Sequence, residues 1–419
     1  MKIIVLTRNY LRPDTGGAPG EYAPVGGAEQ YIDLLLPVLK DAYPEAEIVV
    51  YQVGSDESQS VKRGGASVRF VRLSRFERMF FPLALAMKYR HLVQRELGKD
   101  DIVIVNEVRY AALVQSTPMR SIGIFHGIEW DTSLGSYVYR ECRYRHYSIA
   151  GPVISAVKYI YFRLIAPWAT LRGIARVRMT VSVDHQLPLW VEGRFPSLAS
   201  RLVTITNCST YEPSLEPQGP MSEPGDRRCL TILVPRNLNV ARGVYLIPDL
   251  ARTLARQGIV CQFEIAGDGP LRAYIERKIR TFGLQESVRL LGHIGGRREM
   301  SQLYRRADVV LIPSVFSEGT SLSAIEAMAH GRALVTTDVG GLSEIGVNGV
   351  NKLVVEPTVS SIAAAIGLLS SDPELRERLG RNAVQYVREH CSLSSWQRQW
   401  SDLLESLERA ASSGHGERN

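Results

Sequence analysis

The chain has 419 residues, of which 45% are hydrophobic and 22% are charged. This length suggests two or three domains, and this composition excludes a disordered chain, a collagen and a small disulfide scaffold. The formal net charge is only +7, but residues 61–180 hold 20 Lys and Arg against 8 Asp and Glu, so a basic segment lies within an otherwise mildly acidic chain.

Cysteine usage and hydropathy indicate the cellular compartment of the protein. The five cysteines are odd in number and form no C-x-x-C pair, which is typical of a reducing compartment. No uncharged apolar stretch approaches the roughly 20 residues of a membrane span, and the short apolar run after Lys2 suits a buried strand better than a signal peptide. We therefore expect a cytoplasmic protein, either free or bound at the inner face of a membrane.

Short β-branched runs alternate with longer amphipathic segments, which predicts parallel sheets flanked by helices. In the first half a helix is predicted over Gly27–Ala42, because a Gly-Gly pair opens it and Ile32, Leu35 and Leu39 recur at helical spacing. The predicted strands of this half are Lys2–Thr7, Ala46–Val53, Val68–Leu73, Ile102–Asn106, Ser121–Phe125, Arg178–Val183 and Arg201–Thr206.

The composition changes at Asn207–Arg228, which contains four Pro and two Gly and is predicted to be an interdomain linker. A second alternating series follows. Its predicted strands are Leu230–Pro235, Cys261–Gly267, Val288–Gly292, Val309–Pro313 and Ala333–Thr337. Its predicted helices are Gly243–Gln257, Leu271–Phe282, Arg297–Arg306, Ser321–His330, Val359–Ser370, Pro373–His390 and Ser394–Ala411. The sequence thus predicts an α/β protein with two doubly wound domains that face each other across a cleft.

The most specific motif is Glu318-Gly-Thr-Ser-Leu, which separates a predicted strand from the predicted helix Ser321–His330. A helix N-terminus built from small residues suits a diphosphate. The backbone N–H groups that would face it belong to Gly319, Thr320, Ser321 and Leu322. Glu326 lies roughly 7–8 Å along the helix at about 1.5 Å per residue, close to the distance between a diphosphate and the ribose of the same nucleotide.

Three further features follow predicted strands. Arg236 and Arg242 follow Leu230–Pro235 and could hold a diphosphate and stabilise it as it leaves. Gly26 and Gly27 allow close backbone approach at a helix start, and the lack of G-x-G-x-x-G there argues against a nicotinamide dehydrogenase. His126 follows the strand that ends at Phe125 and could donate to a sugar hydroxyl or move a proton. Taken singly, these features are also typical of surface charge, a structural turn and a packed histidine.

The order of these motifs resembles that of the GT-B retaining glycosyltransferases of family 4. The resemblance spans nearly the whole chain and is most specific from Leu230 to Glu356, where the turns Gly267-Asp-Gly-Pro270 and Gly340-Gly341 add to it. The chain departs from the family pattern at three positions. Arg242 replaces the usual Lys, Pro235 replaces the Gly before the first Arg, and Cys208 replaces the Gly after Asn207.

The resemblance implies a GT-B fold with an acceptor-binding domain, residues 1–206, a linker, residues 207–228, and a nucleotide-sugar domain, residues 229–390. The last segment, residues 391–419, would cross back to the first domain, with Trp396 and Trp400 as anchors. The implied roles are diphosphate binding by Arg236, Arg242 and the Gly319–Leu322 amides, sugar binding by Glu318 and ribose binding by Glu326. Gly26 and Gly27 would back the diphosphate, His126 would lie near the sugar and acceptor, and His293 and Ile294 would touch the base.

The resemblance also implies retaining, metal-independent transfer of a sugar from a UDP- or GDP-type donor to a hydroxyl acceptor. That acceptor would be a sugar, a lipid-linked glycan or a small aglycone. No D-x-D follows a predicted strand to hold Mg²⁺, so we expect neither a metal nor another cofactor. In this family the leaving phosphate is commonly held to take the acceptor proton.

Two alternatives stay open from the sequence. A sugar-nucleotide epimerase of the same fold would turn over the donor without an acceptor, and a non-enzymatic adaptor would act through the basic segment. That segment interleaves cations with aromatic residues, as in Lys158-Tyr-Ile-Tyr-Phe-Arg163, and includes Arg72 and Arg143. Such a pattern suits anionic lipid headgroups, an anionic acceptor, nucleic acid or a plain solvated surface. We favour an anionic membrane surface or an anionic acceptor, and we expect no nucleic-acid partner.

Overall fold

The structure is a computed structural model that describes residues 1–13, 22–24, 27–54, 60–74, 77, 81–114, 120–128, 164–214, 229–316 and 318–413. These residues form two compact units, with boundaries after Thr206 and after Leu393. The first unit comprises the described residues up to 128, residues 164–206 and residues 394–413, and the second comprises the described residues between 207 and 393.

A mostly parallel sheet of eight strands forms the centre of the first unit. Its strands are β1 (Lys2–Thr7), β4 (Glu47–Gly54), β5 (Ser60–Arg63), β6 (Ala66–Arg72), β7 (Ile102–Asn106), β8 (Ser121–Phe125), β9 (Met179–Ser182) and β10 (Leu202–Thr204). The spatial order is β10-β9-β8-β7-β1-β4-β6-β5, and only the edge strand β5 pairs antiparallel. Two short strands, β2 (Leu11–Pro13) and β3 (Tyr22–Pro24), form a separate antiparallel pair.

The runs in β1 and β7 are apolar without alternation because both faces of these central strands are covered. Every residue of β7 is buried, as are Ile3–Leu6 of β1. Such two-sided burial is what a parallel sheet between helices requires. The helices of this unit are α1 (Gly27–Ala42), α2 (Phe81–Glu96), α3 (Ala166–Arg176), α4 (Gln186–Glu192) and α5 (Pro196–Ala199).

The second unit has a fully parallel six-stranded sheet in the order β13-β12-β11-β14-β15-β16. These strands are β11 (Leu230–Val234), β12 (Cys261–Ala266), β13 (Val288–Gly292), β14 (Val309–Ile312), β15 (Ala333–Thr337) and β16 (Leu353–Val355). The helices are α6 (Ile247–Arg256), α7 (Arg272–Phe282), α8 (Arg297–Arg306), α9 (Leu322–Ala329), α10 (Val359–Ser371) and α11 (Pro373–His390).

The C-terminal helix α12 (Leu393–Ser413) belongs to the first unit from Ser394 onward. Trp396 and Trp400 are almost fully buried. The indole N–H of Trp400 donates to the Tyr31 hydroxyl at 3.0 Å, and the Trp396 ring meets the Tyr31 ring edge-on at 5.2 Å. These contacts confirm the predicted anchors and the predicted return of the last helix to the first domain.

The fold class predicted from the sequence, two doubly wound α/β units, is confirmed, and every predicted strand is present with ends within one or two residues. One predicted helix starts too early, because Gly243 adopts a left-handed backbone (φ 68°) and two short 3₁₀ turns precede Ile247. Helix α2 escaped prediction because its apolar residues form no single stripe. Leu85 and Tyr89 are buried while Leu83 and Met87 are exposed.

Several sequence features lie outside the described residues. They are Gly26, the linker from 215 to 228, the acceptor-side loops from 14 to 21 and from 129 to 147, and the basic residues Arg75, Arg78, Arg140, Arg143, Arg145, Lys158 and Arg163. Within the described ranges, no helix has both the length and the apolar character that membrane crossing demands.

Candidate functional site

The chain order of the second sheet places a crevice between β11 and β14. From β11 the strands run outward through β12 to β13, whereas β14 starts the opposite half of the sheet. In open α/β sheets, ligands bind at the carboxyl ends of the strands where the order reverses. Arg236 follows β11, and the loop that carries Glu318 follows β14.

The Glu318 carboxylate joins the predicted residues into one cluster. Its Oε2 accepts hydrogen bonds from Nη2 of Arg236, from Nη1 of Arg242 and, at 2.7 Å, from the Ser314 hydroxyl. Arg236 also donates to Ser314 Oγ at 2.9 Å and to Ser321 Oγ at 3.3 Å. Ser314 was not predicted, since a lone serine after a strand carries no sequence signal of its role.

Burial and charge act against each other in this cluster. The side chains of Arg236 and Glu318 are each 7% exposed, whereas that of Arg242 is 31% exposed. Burial lowers the pKa of Arg236 to about 10, against the attraction of Glu318. Burial opposes ionisation of Glu318, but the two guanidiniums hold its pKa below the ordinary value. At neutral pH the cluster therefore holds two cations and one anion, which suits it to a further anion.

Helix α9 begins directly beside this cluster. Ser321 is its N-cap residue in an extended conformation, and its side chain does not cap the helix but accepts from Arg236. The first N–H groups of a helix have no intrahelical partner and carry partial positive charge. The predicted amide set therefore lies on the same loop as Glu318. Asn207 holds Thr320 at two atoms: its backbone N–H donates to Thr320 Oγ1 at 3.1 Å, and its side-chain Nδ2 donates to the Thr320 carbonyl oxygen.

Glycines pack against the backbone of the two loops that carry Arg236 and Glu318. Gly340 has a φ of 54°, and a Cβ there would lie 2.3 Å from the Glu318 carbonyl oxygen. The N–H of Gly341 donates to that same oxygen at 2.7 Å, and a Cβ on Gly341 would lie 2.6 Å from the carbonyl carbon of Gly319. A Cβ on Gly267 would lie 2.2 Å from the Arg236 carbonyl oxygen. Only glycine permits this backbone-to-backbone packing.

Glu326 lies on α9, half-buried and facing α8. The Tyr304 hydroxyl donates to its Oε2 at 2.9 Å. Burial raises the pKa of Glu326 to about 7, against the opposing effects of the Tyr304 hydrogen bond and the Arg297 charge. Tyr304 was not among the predicted site residues, because a single tyrosine on an amphipathic helix is typical of a hydrophobic core.

The predicted base-contacting residues follow β13, at the edge of the same sheet. His293 is exposed and Ile294 is partly buried against the core. No hydrogen bond within the described part of the chain joins either residue to the Arg236–Glu318 cluster. Both residues lie after a strand end, as predicted, and the preceding Gly292 accepts a hydrogen bond from the Gly267 N–H at 2.7 Å.

A second group of polar residues lies in the first unit, where the strand order reverses between β1 and β7. His126 follows β8, and its Nε2 lies 2.6 Å from the Oδ1 of Asn106, the last residue of β7. Burial lowers the pKa of His126 to about 4, and the Arg109 charge adds to this effect. Glu107 has a φ of 96°, the one positive φ of a non-glycine residue in the described ranges. Gly27, predicted to approach a ligand, is the first residue of α1.

Part of the chain is similar in sequence to known proteins. Residues 227–386, most of the second unit, match the family model described as glycosyl transferases group 1. The alpha-D-kanosaminyltransferase of Streptomyces kanamyceticus is 33% identical over 171 residues, which cover 41% of this chain and 44% of that protein. The D-inositol 3-phosphate glycosyltransferase of Nocardia farcinica is 37% identical over 137 residues, or 29% of its length. The matched segments thus span less than half of these curated relatives.

Solved structures share the fold along nearly the whole chain. The sucrose-phosphate synthase of Thermosynechococcus elongatus has a TM-score of 0.72 at 17% identity and covers 98% of this chain and 99% of its own. HepE of Anabaena, solved with UDP and glucose, has a TM-score of 0.64 at 17% identity and covers 97% of this chain and 100% of its own. The fold is therefore that of GT-B glycosyltransferases, and the matches give no support to an epimerase or a non-enzymatic adaptor.

Proposed function

We propose that the protein is a retaining glycosyltransferase of family 4. It transfers a sugar from a nucleotide-diphosphate donor of the UDP or GDP type to a hydroxyl acceptor, in the synthesis of a glycan, glycolipid or glycoside. The observation that carries the proposal is the cluster of Arg236, Arg242 and Glu318 at the point where the strand order of the second unit reverses, beside the N-terminus of α9.

The cluster supplies what departure of a diphosphate requires. As the bond to the anomeric carbon breaks, negative charge grows on the phosphate oxygens. Arg236 and Arg242 offer guanidinium donors, and the Gly319–Leu322 segment offers backbone donors at the start of α9. Before the donor binds, Glu318 accepts from both arginines. In the complex the diphosphate takes over these donors, and the Glu318 carboxylate turns to the hydroxyls of the donor sugar.

The other predicted roles belong to the same proposal. Glu326 binds the ribose hydroxyls, and His293 and Ile294 contact the base. Gly26 and Gly27 approach the diphosphate from the first domain. His126, neutral because burial depresses its pKa to about 4, donates or accepts a hydrogen bond near the sugar and the acceptor.

We infer that transfer proceeds with retention of configuration and without a metal. The acceptor hydroxyl attacks on the face from which the diphosphate leaves, and its proton passes to a phosphate oxygen of the leaving group. The arginines and helix dipole supply the positive charge that a divalent cation would otherwise contribute. Undiminished activity after EDTA treatment is the expected result.

We further propose a cytoplasmic location at an anionic membrane surface, with a sugar, a lipid-linked glycan or a small aglycone as acceptor. Support comes from α3 and the residues before it, where Leu164, Ile165 and Trp168 are exposed. The Arg172 guanidinium lies 5.6 Å from the centre of the Trp168 ring. Apolar side chains flanked by arginine suit a membrane interface. Failure to float with phosphatidylglycerol vesicles would remove this part of the proposal.

The test of the enzymatic proposal begins with thermal shifts against UDP, GDP, ADP and dTDP and their sugars. Calorimetry and donor-hydrolysis assays follow with the nucleotide that stabilises the protein. Arg236→Ala should weaken binding of both the free nucleotide diphosphate and the full donor, by about tenfold or more. Glu318→Ala should abolish transfer, because the sugar loses its carboxylate partner.

Arg256→Ala is the matched control, since Arg256 is an exposed arginine of α6 in the same unit. It should leave nucleotide affinity unchanged. Wild-type turnover by Glu318→Ala, or wild-type calorimetric affinity of Arg236→Ala, would contradict the assigned roles. Donor turnover that needs no acceptor and yields an isomeric nucleotide sugar would show an epimerase instead.

A further inference from the structure

Tyr304 combines complete burial with a hydroxyl that reaches a carboxylate on the neighbouring helix. Its side chain has no exposed surface, and its hydroxyl lies 2.9 Å from Glu326 Oε2 and 3.3 Å from the Ser323 carbonyl oxygen. A tyrosine hydroxyl has a single proton to donate. The shorter contact, to the charged acceptor, takes that proton because hydrogen bonds to an ionised group are the stronger ones.

The other aromatic residues near Glu326 differ from Tyr304 in what they contact. His330 stacks on the Tyr304 ring at 5.0 Å and donates from Nδ1 to the backbone oxygen of Glu326, not to its carboxylate. Tyr211 meets the His330 ring edge-on, and the Arg297 guanidinium lies 5.0 Å from the Tyr211 ring. Among the described residues, Tyr304 is the one side chain that donates a hydrogen bond to the Glu326 carboxylate.

We propose that Tyr304 is a positioning residue that holds Glu326 as an oriented carboxylate for the two hydroxyls of a ribose. This inference rests on the proposed function, in which Glu326 binds the nucleotide donor. With Oε2 fixed by Tyr304, Oε1 and the second lone pair of Oε2 stay available as acceptors. Two acceptor positions on one plane match a vicinal diol, so the site would select a ribonucleotide donor over a 2′-deoxyribonucleotide.

Because Glu326 is ionisable, the proposed role of Tyr304 makes donor affinity depend on pH. Burial raises the pKa of Glu326 to about 7, and the hydrogen bond from Tyr304 and the Arg297 charge both counteract the rise. Removal of the hydroxyl raises this pKa further, so less of the carboxylate is ionised at neutral pH. Since a protonated carboxyl offers fewer acceptor positions to the diol, donor affinity should fall at neutral pH and recover at alkaline pH.

The experiment is calorimetric titration of the full chain with UDP-glucose between pH 6 and pH 9. UDP-glucose is chosen because it has no phosphate monoester to titrate in this range. Tyr304→Phe removes only the hydroxyl. If its loss raises the Glu326 pKa from about 7 to about 8, the ionised fraction at pH 7 falls from about a half to about a tenth. We therefore expect this variant to bind about fivefold more weakly than the wild type at pH 7 and to approach wild-type affinity near pH 9.

Further variants show whether the effect is specific to the Tyr304 hydroxyl and to Glu326. Tyr274→Phe removes a tyrosine hydroxyl from α7 of the same unit and should change neither affinity nor its pH dependence. Glu326→Gln should bind weakly at every pH, and addition of Tyr304→Phe to it should cost nothing more. The wild type should also bind UDP more tightly than 2′-deoxy-UDP, with a smaller preference in Glu326→Gln.

The failures can be told apart. A loss in Tyr304→Phe that is equal at all pH values would assign Tyr304 to packing alone and overturn the inference, while donor binding by the wild type would leave the proposed function standing. Unchanged affinity in Glu326→Gln would likewise overturn it. If the wild type bound none of the nucleotide sugars tested, the proposed function and this inference would both fall.

Discussion

At the scale of single residues, the neighbours of His126 determine which of its ring nitrogens carries the hydrogen. Its Nε2 lies 2.6 Å from Asn106 Oδ1, while Asn106 Nδ2 donates to Thr7 Oγ1 at 3.1 Å. Because Asn106 is thereby oriented with its oxygen toward the imidazole, Nε2 carries the hydrogen and Nδ1 is the acceptor of the neutral ring. The residue after Asn106 is Glu107, whose positive φ of 96° costs conformational energy. The end of β7 is thus strained where it holds the histidine.

The depressed pKa of His126 predicts a pH dependence of stability. In the folded protein its pKa is about 4, whereas in the unfolded chain it is about 6.5. The unfolded state therefore binds more protons between these values, so stability is full above about pH 6.5 and falls as the pH is lowered toward 4. His126→Gln should remove this loss, which is about 2 kcal/mol at pH 5.

Thermal unfolding at pH 7.5 and pH 5.0 measures this effect as a difference between the wild type and the variant. The comparison of the two proteins is needed because burial also lowers the pKa of His330 in the second unit. Equal pH dependence in the wild type and His126→Gln would refute the assignment of a neutral, buried imidazole at position 126.

At the scale of elements, the turn after β15 determines the shape of the loop after β14. The 3₁₀ turn Gly340–Leu342 contacts the backbone of Glu318 and Gly319. Lys352, whose side chain is fully buried, donates from Nζ to the carbonyl oxygen of Leu342 at 2.5 Å and so holds the end of this turn. Burial lowers the pKa of Lys352 to about 8. A buried cation and two glycines thus support the loop that carries Glu318.

Gly340→Ala should displace the Glu318 loop and weaken binding of the nucleotide donor by about tenfold or more, because the new Cβ meets the Glu318 carbonyl oxygen. Gly349→Ala is the matched control. Gly349 also has a positive φ, of 76°, but a Cβ there has no neighbour within 4 Å. In both variants the left-handed backbone of the alanine costs roughly 1–2 kcal/mol, so the two variants differ only in the steric contact of the new Cβ. Equal donor affinity in the two variants would show that the Gly340 contact does not shape the site.

At the scale of the whole molecule, the chain builds two separate cores and completes the first of them with its last helix. The core of the second unit is formed by strands and helices between Leu230 and Cys391. The first unit depends on α12, which contributes Trp396, Trp400, Leu404 and Leu407, all nearly or fully buried. Residues from opposite ends of the sequence are therefore required for one folding unit.

Trp400→Ala should destabilise the first unit by about 3–5 kcal/mol, because it removes a buried indole and its hydrogen bond to Tyr31. Trp168→Ala serves as the control, since the same truncation at a side chain that is 52% exposed should cost less than about 1 kcal/mol. Differential scanning calorimetry should show one transition moved in Trp400→Ala while the other stays in place. Similar transitions for both variants would count against α12 as a structural part of the first unit.

Local sequence signals account for much of the fold and part of the site. Strands such as β1 and β7 are recognisable because buried parallel strands need apolar, β-branched runs, and α9 is recognisable from its small-residue entrance and its Gly331 end. Arg236, Arg242 and Glu318 could be singled out because they follow such strands. Ser314, Tyr304 and Lys352 could not, because their chemistry arises only from neighbours distant in sequence.

The amino-acid sequence by itself determined the alternation of strands and helices, the two α/β units and the positions of the charged residues after strand ends, because these follow from periodicity and side-chain chemistry over a few residues. Only the tertiary structure decided that Glu318 lies between two arginines, that Tyr304 donates to Glu326 and that α12 completes the first core. Each of these depends on which strands become neighbours, and strand order is set by the burial of the whole chain and not by any local segment.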